Sequence, residues 1–216
     1  MPGKVPEQIF LYRIVHWDCL AGVLDRGFHP KRHPEFQLPP KRIGDFELAD
    51  KRDRYVLMTP GAGTIGEHVS FYFAGHSPML YKIHTGYGVP QEHQRDIVYI
   101  CCKLESLVGL GLPYLFTDGQ ANTSRARTRE FTELKDRDQL DWNVIPDRMW
   151  RDTEEDRDRE RRKQAEFLVK GHVPVASFLV IYTFDASRQM DAQRLLNERG
   201  LSIRVRVDTD RNLYFP

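Results

Sequence analysis

Glu166 stands in RRKQAEFLV, three positions after the last of three consecutive cations and just ahead of an apolar run. A lone carboxylate on strand-forming sequence is equipped to stabilise developing positive charge, or to take a proton from an incoming nucleophile. Two other kinds of functional group lie far from it in the chain: the imidazole of His16, which closes YRIVH, and the phenols of Tyr72 and Tyr81 in FYFAGHSPMLY. Histidine can donate or accept a hydrogen bond at neutral pH, and tyrosine offers an aromatic face with a polar tip. Each also has an ordinary role. His16 can be a hydrogen-bonded strand-end histidine, the tyrosines core aromatics with satisfied hydroxyls, and Glu166 an ion-pair partner of the preceding arginines.

Chemistry of this kind needs rigid backbone, and the sequence supplies it around each group. In QAEFLV, Ala165, Phe167 and Val169 fall on one side and Gln164, Glu166 and Leu168 on the other, so a strand carries Glu166 away from the Ala/Phe/Val face. IFLYRIVHW reads as a strand and DCLAGVLDRG as a helix with a glycine stop, which puts His16 at their junction. HVSFYFA is a strand bearing Tyr72, and SPMLYKIHTG a short helix opened by Ser77 with proline at its first position. DIVYICCKLESLVG is a strand leading into a helix, YLFTDG a strand running into a turn, and SFLVIYTF and LSIRVRV are strands separated by a short helix over 190–199. DTEEDRDRERRK, residues 152–163, reads as a solvated helix laced with i,i+4 ion pairs and capped by Asp152 or Thr153. Residues 28–64 are rich in proline, glycine and charge, with no sustained period beyond a short helix at 46–54. A loop of that length in a compact domain is usually functional or disordered, and an ordered cover over a site is expected.

The chain has 216 residues, enough for one domain spanning 1–216. Its 32 basic and 31 acidic residues almost cancel, so any polyanion site must be a local patch. QANTSRARTREF supplies the best one, with Arg125, Arg127 and Arg129 and no acid until Glu130. Cys19, Cys101 and Cys102 form no CxxC pair and leave one over from any pairing, which argues against a disulfide framework or zinc site and for a reducing cytoplasm. The early apolar run IFLYRIV is short and broken by Arg13, so neither a signal peptide nor a membrane span is expected. The eight histidines show no HExxH or similar ligand spacing, so no metal is expected.

Taken together, YRIVH, HVSFYF with SPMLY, FTDGQA, LDWNVI, and RRKQAEFLV with HVP resemble the DarT family of DNA ADP-ribosyltransferase toxins, over about residues 12–175. The order of histidine, tyrosine and glutamate is similar to that of diphtheria-toxin-like and poly(ADP-ribose) polymerase-like ADP-ribosyltransferases. The resemblance implies an α+β ADP-ribosyltransferase fold, with central mixed, mostly antiparallel sheets, two of them packed around a cleft for NAD, and flanking helices. It implies that Glu166 is catalytic, with an arginine from KRDR, either Arg52 or Arg54. His16 would hydrogen-bond the nicotinamide ribose, Tyr81 would stack on the nicotinamide and Tyr72 would help build the same wall. Tyr12 and Arg13 of YRIVH, Phe71 of HVSFYF and Ser77 of SPMLY would complete the cofactor site.

Breaking the ribose–nicotinamide bond gives an oxocarbenium-like transition state, which a carboxylate stabilises, and the same carboxylate can draw a proton from an incoming base. The acceptor implied is a base in single-stranded DNA, because pairing hides the edge that must react. Arg125, Arg127, Arg129, Lys31 and Arg32 are candidates for its phosphates, and surface pairing with acids is the alternative. HVSFYF, in place of a YVPFYF form associated with thymine modification, leans towards guanine as the acceptor. A macrodomain antitoxin of the DarG type is the implied partner. Transfer to protein, RNA or water, and a non-catalytic module that binds single strands, are the readings to be separated from this one.

Overall fold

Aromatic and β-branched residues in FLYRIVH form β1 (Phe10–His16), and the chain turns directly into α1 (Trp17–Arg26). Residues 3–123 and 127–216 are described by the structure, a computed structural model. α1 stops at Gly27, whose φ of 72° suits glycine and where a Cβ would lie 2.3 Å from the Val173 carbonyl oxygen. The next residue, Phe28, bridges Val173 and starts the long connection to β2 (His68–Tyr72). Within that connection lies α2 (Phe46–Arg54), as expected from sequence, capped by the Asp45 carboxylate accepting the Leu48 N–H at 2.8 Å. α3 (Pro78–Thr85) follows with Ser77 as its cap, then β3 (Ile97–Lys103), α4 (Leu104–Val108), β4 (Tyr114–Thr117) and β5 (Glu130–Phe131). The chain closes with α5 (Arg159–Lys163), β6 (Glu166–Lys170), β7 (Phe178–Thr183), α6 (Ala186–Glu198) and β8 (Arg204–Val207).

The strands make one eight-stranded sheet in the order β5-β4-β6-β2-β1-β3-β7-β8. All neighbours are antiparallel except β7 and β8, whose parallel pairing is reached through α6. Two sheets packed around a cleft were expected; the strands form one continuous sheet whose two halves meet at β1 and β2. β1 pairs with β3 along its whole length and β2 with β6 likewise, whereas β1 and β2 share only the register pair Tyr12↔Tyr72.

Both faces of the sheet are covered. Phe71, Phe116, Phe167, Val169 and Trp142 belong to the largest buried cluster, with Leu20 and Leu24 of α1, while Leu168 joins Leu57, Ile65 and Leu115 on the other face. The alternation read in QAEFLV is therefore realised, with Phe167 and Val169 on one side and Glu166 and Leu168 on the other.

Two expectations about helices are corrected. Residues 152–163 do not form one charge-laced helix; only Arg159–Lys163 is helical. Asp152 Oδ1 accepts the Glu160 N–H and Thr153 Oγ1 accepts the Asp156 N–H, so short polar side chains capture backbone donors locally and compete with helix. The arginines divide their bonds between nearby and distant acids: Arg161 meets Asp158 at 2.7 Å and also Asp118 at 3.1 Å, Arg162 meets Asp156 and also Asp141, and Arg159 meets Asp147. The helix expected at 190–199 begins earlier, at Ala186, because Asp185 caps it by accepting the Arg188 N–H at 2.9 Å ahead of a polar first turn.

Candidate active site

β6 opens with Glu166, and sheet register decides what stands beside it. Glu166 opposes Tyr72 of β2 on one side and Thr117 of β4 on the other, and Tyr72 in turn opposes Tyr12 of β1. Directly opposed side chains share a face, so these four residues form one row across four strands. Glu166 and Tyr72 line a cavity of about 760 Å³. That volume falls within the roughly 300–1,000 Å³ typical of small-molecule and cofactor sites.

Glu166 is only 1% exposed and accepts three hydrogen bonds from the protein. Its Oε1 accepts from Arg52 Nη1 at 2.9 Å and from the Ala121 N–H at 3.0 Å, and its Oε2 accepts from Arg52 Nη2 at 2.5 Å. A carboxylate offers about four lone-pair sites. Three are taken, and the remaining one lies on Oε2. Arg52 is steadied in turn by Asn122 Oδ1, 2.8 Å from Nη1. Burial pulls the Arg52 guanidinium down, but the charge and hydrogen bonds of Glu166 outweigh it and hold it above its ordinary range. Arg54 is exposed at the end of α2 and does not line the cavity. Two residues along a helix are about 200° of rotation, so only one of the pair can face β6.

A second cation enters from β1. Arg13 donates from Nη1 to the Ser70 carbonyl at 2.7 Å and sits over the Phe28 ring at 5.1 Å. Its Nε is buried without a hydrogen-bond partner among the described residues, and burial, foremost, pulls its pKa down. A buried orphan donor in a cavity wall marks a place where a bound polar group would complete the set. Tyr72 lies close by; burial first, and then the charge of Glu166, push its phenol up to about 12, so the hydroxyl remains a donor at neutral pH. His16 lines the cavity and caps α1, its Nδ1 accepting the Asp18 N–H at 3.2 Å. In the neutral ring that bond leaves the proton on Nε2, 3.7 Å from Glu92, which Lys41 holds at 2.6 Å.

Four expected cofactor residues are not brought into the cavity lining. Tyr81 does not face the cavity: with Pro78, Met79 and Lys82 of α3 facing it and Leu80 and Ile83 in the core, Tyr81 falls on the helix flank. There it packs on Trp150 and Phe215, and its hydroxyl accepts from Arg151 at 2.6 Å. Phe71 points into the core and meets Phe28 edge-on, because it alternates with Tyr72 along β2. Ser77 spends its hydroxyl on the Leu80 N–H as the cap of α3. Tyr12 continues the row of Tyr72 but packs edge-on against Tyr99.

Three of the five candidate phosphate contacts are already paired with acids. Arg129 bonds Asp118 at 2.8 Å, Arg127 bonds Asp158 at 3.0 Å, and Lys31 pairs with Asp50 and Asp53. Arg32 is exposed and anchored by its backbone N–H to the Gly66 carbonyl at 2.9 Å. Arg125 lies outside the described residues. The surface-pairing alternative therefore describes Arg127, Arg129 and Lys31. Residues that sequence reasoning missed come from the turn after β4: the Ala121 N–H and Asn122 complete the Glu166–Arg52 pair, and Gln120 lines the cavity. FTDGQA, a polar turn following a short strand, was the available signal. The covering segment also gathers His29, His33 and Glu35, the one group among the described residues able to hold a metal.

A family-wide sequence profile described as "ssDNA thymidine ADP-ribosyltransferase, DarT" matches residues 12–215. A "DNA ADP-ribosyl transferase" of Thermus sp. (strain 2.9) is 32% identical, each chain being covered in full. The solved structure "Thermus sp. 2.9 DarT in complex with ADP-ribosylated ssDNA" superposes with a TM-score of 0.88 at 28% identity, covering 100% of both chains. The same protein "in complex with NAD+" gives 0.82 at 28% identity, over 98% of this chain and 100% of the other.

Proposed function

The chain belongs to the DarT family, and on that premise we propose that it transfers one ADP-ribose from NAD to a base of single-stranded DNA. The observation that carries the proposal is Glu166, buried at the cavity wall with a bidentate arginine and one free acceptor site. In this reading Glu166 stabilises positive charge on the ribose as nicotinamide leaves, and Oε2 takes the proton of the incoming base. Arg52 fixes the carboxylate in place. Tyr72 and His16 position the nicotinamide end of NAD through their hydroxyl and Nε2–H, and the orphan Nε of Arg13 takes an acceptor atom of the same substrate. General-base help of this kind contributes typically about 10²–10⁴ in rate, and proximity of the two substrates much of the rest.

Residues 28–64 act as the cover of a single transferase domain, since many of them, from Phe28 to Asp53, line the cavity. Guanine is the acceptor we favour. The two positions at which HVSFYF departs from the thymine-associated form, His68 and Ser70, both line the cavity, and burial holds the His68 imidazole neutral by lowering its pKa. Thymidine, which the family description names, is the competing outcome. The protein works as a toxin in the cytoplasm, answered by a DarG-type macrodomain; its three cysteines are free thiols. No helix among the described residues is long and apolar enough to cross a membrane.

Incubation with NAD and a single-stranded oligonucleotide gives an adduct heavier by one ADP-ribose, and tandem mass spectrometry assigns the base. Intact NAD and unmodified oligonucleotides of every composition would overturn the proposal. Label appearing on protein, on RNA or only as free ADP-ribose would redirect it to another acceptor.

A further inference from the structure

The segment that covers the cavity brings imidazoles together. His29, which lines the cavity, stacks on His172 at 4.2 Å and 10° and lies 4.7 Å from the ring of His33. His29 Nε2 stands 3.2 Å from Glu35 Oε2, yet it is buried with no hydrogen-bond partner among the described residues, so the two atoms are close in a geometry unfit for a hydrogen bond. One ligand atom from each of His29, His33 and Glu35 lies within 4.8 Å of the others.

Two atoms that bear lone pairs repel at such a separation unless a proton or cation stands between them. Zinc binds imidazole nitrogen and carboxylate oxygen at about 2.0–2.2 Å, which makes the edge of a coordination tetrahedron roughly 3.4 Å. The His29–Glu35 separation is already close to such an edge. We infer that His29, His33 and Glu35 form a site for one divalent transition-metal ion of the zinc type, with the fourth position open to solvent.

The local fold supports the site independently of its ligand atoms. The three ligands lie on a short stretch of two consecutive turns, held by His33 N–H on the Pro30 carbonyl at 2.9 Å, Phe36 N–H on the His33 carbonyl at 3.0 Å and Arg32 N–H on the Gly66 carbonyl at 2.9 Å. His172 is fixed by its own bond, Nε2 to the Arg26 carbonyl oxygen at 2.7 Å, and serves as a stacked support. Two imidazoles and one carboxylate favour zinc-like ions over magnesium or calcium, which prefer oxygen donors. One weak bond is sacrificed. His33 Nδ1 accepts the Glu35 N–H at 3.1 Å, and ligation through either ring nitrogen ends that role. Glu35 is 75% exposed and gives the ion a path from solvent.

The ion would act as a brace. Phe36 and Gln37, directly after the turn, line the cavity, so fixing residues 29–35 fixes one edge of its cover.

The test uses the full-length chain without a histidine tag, stripped by chelator. Calorimetric titration with Zn²⁺ should show one saturable site per chain, Co²⁺ should give the intense visible bands of a four-coordinate ion, and Zn²⁺ should raise the melting temperature. Loss of mere supporting groups around a metal costs about 10–100-fold in affinity, so His29→Ala, His33→Ala and Glu35→Gln should each weaken binding by about tenfold or more. Glu35→Gln is nearly isosteric on an exposed side chain, which separates ligand loss from misfolding. Absence of saturable Zn²⁺ binding to the unaltered chain, or undiminished binding by a His29→Ala/His33→Ala double variant, overturns the site.

Discussion

Replacing Glu166 with Gln removes one charge while keeping size and shape, and the structure gives the size of the effect on both folding and transfer. The change deprives Arg52 of its bidentate partner, since the amide oxygen can replace only one carboxylate oxygen and the NH₂ at the other position faces a donor. Leaving one member of a buried pair uncompensated costs about 3–5 kcal/mol. Arg52 keeps Asn122 and is 15% exposed, so the lower end applies, about 3 kcal/mol. For a chain of this size each kcal/mol shifts the melting temperature by about 2–4 °C, so scanning calorimetry should register a fall of roughly 6–12 °C. Transfer should suffer more. Loss of both charge stabilisation and proton acceptance predicts a drop of about 10³ in kcat with little change in KM for NAD, because the interaction is made in the transition state. Single-turnover formation of the oligonucleotide adduct, at saturating NAD, measures that drop directly. A variant with undiminished turnover removes Glu166 from the chemistry, and a variant that melts no lower shows that Arg52 does not depend on it.

Arg52→Lys should lower transfer by about 10²-fold through loss of the planar two-point grip, while Arg54→Lys, on the opposite face of α2, stays within about twofold in the same adduct assay. Phe167→Ala should cost about 3–5 kcal/mol, since the ring is wholly buried between Tyr114 and Phe73, and denaturant unfolding checks it. Each phosphate contact on single strands adds about 0.7 to the salt slope of binding. Arg127→Ser and Arg129→Ser together should change that slope by less than about 0.7, because each arginine already pairs with an acid. Lys163 is pulled down to about 8 by burial, so between about pH 8 and its ordinary 10.5 the unfolded chain binds more protons. The contribution of Lys163 to stability therefore rises with pH across that window, by at most about 3 kcal/mol, and a flat difference between the unfolding profiles of the parent and Lys163→Met would contradict it.

What was legible in the sequence was local. The alternation of QAEFLV, the cap and proline of SPMLY and the short helix at 46–54 are each decided within a few residues, and the structure follows them. What was not legible depends on how distant elements meet. The choice between Arg52 and Arg54 rests on the rotation of α2 relative to a strand 114 residues away. Tyr81 lies on a helix whose existence was plain but whose phase is set by Leu80 and Ile83 entering the core. The arginines at 127 and 129 looked free because their acids, Asp158 and Asp118, lie 31 and 11 residues off. The expected helix at 152–163 shortened to 159–163 because Asp152 and Thr153 capture backbone donors locally, while Arg161 and Arg162 also tie the segment to Asp118 and Asp141.

The seam in the sheet explains why the cavity lies where it does. Each half is fully paired internally, and they meet only at Tyr12↔Tyr72. Beyond that pair the strands do not continue their ladder, and a guanidinium, Arg13, supplies the Ser70 carbonyl with a donor. A seam of this kind cannot be closed by apolar packing, because it carries backbone polar groups that must be satisfied. Arg52 then arrives from α2 to meet Glu166. At the heart of the cavity two buried guanidinium groups therefore face one carboxylate, leaving one positive charge in excess. That imbalance disfavours an empty, dry site and is relieved by an anionic ligand, so a dinucleotide bearing a pyrophosphate suits the cavity better than a neutral nucleoside of similar shape.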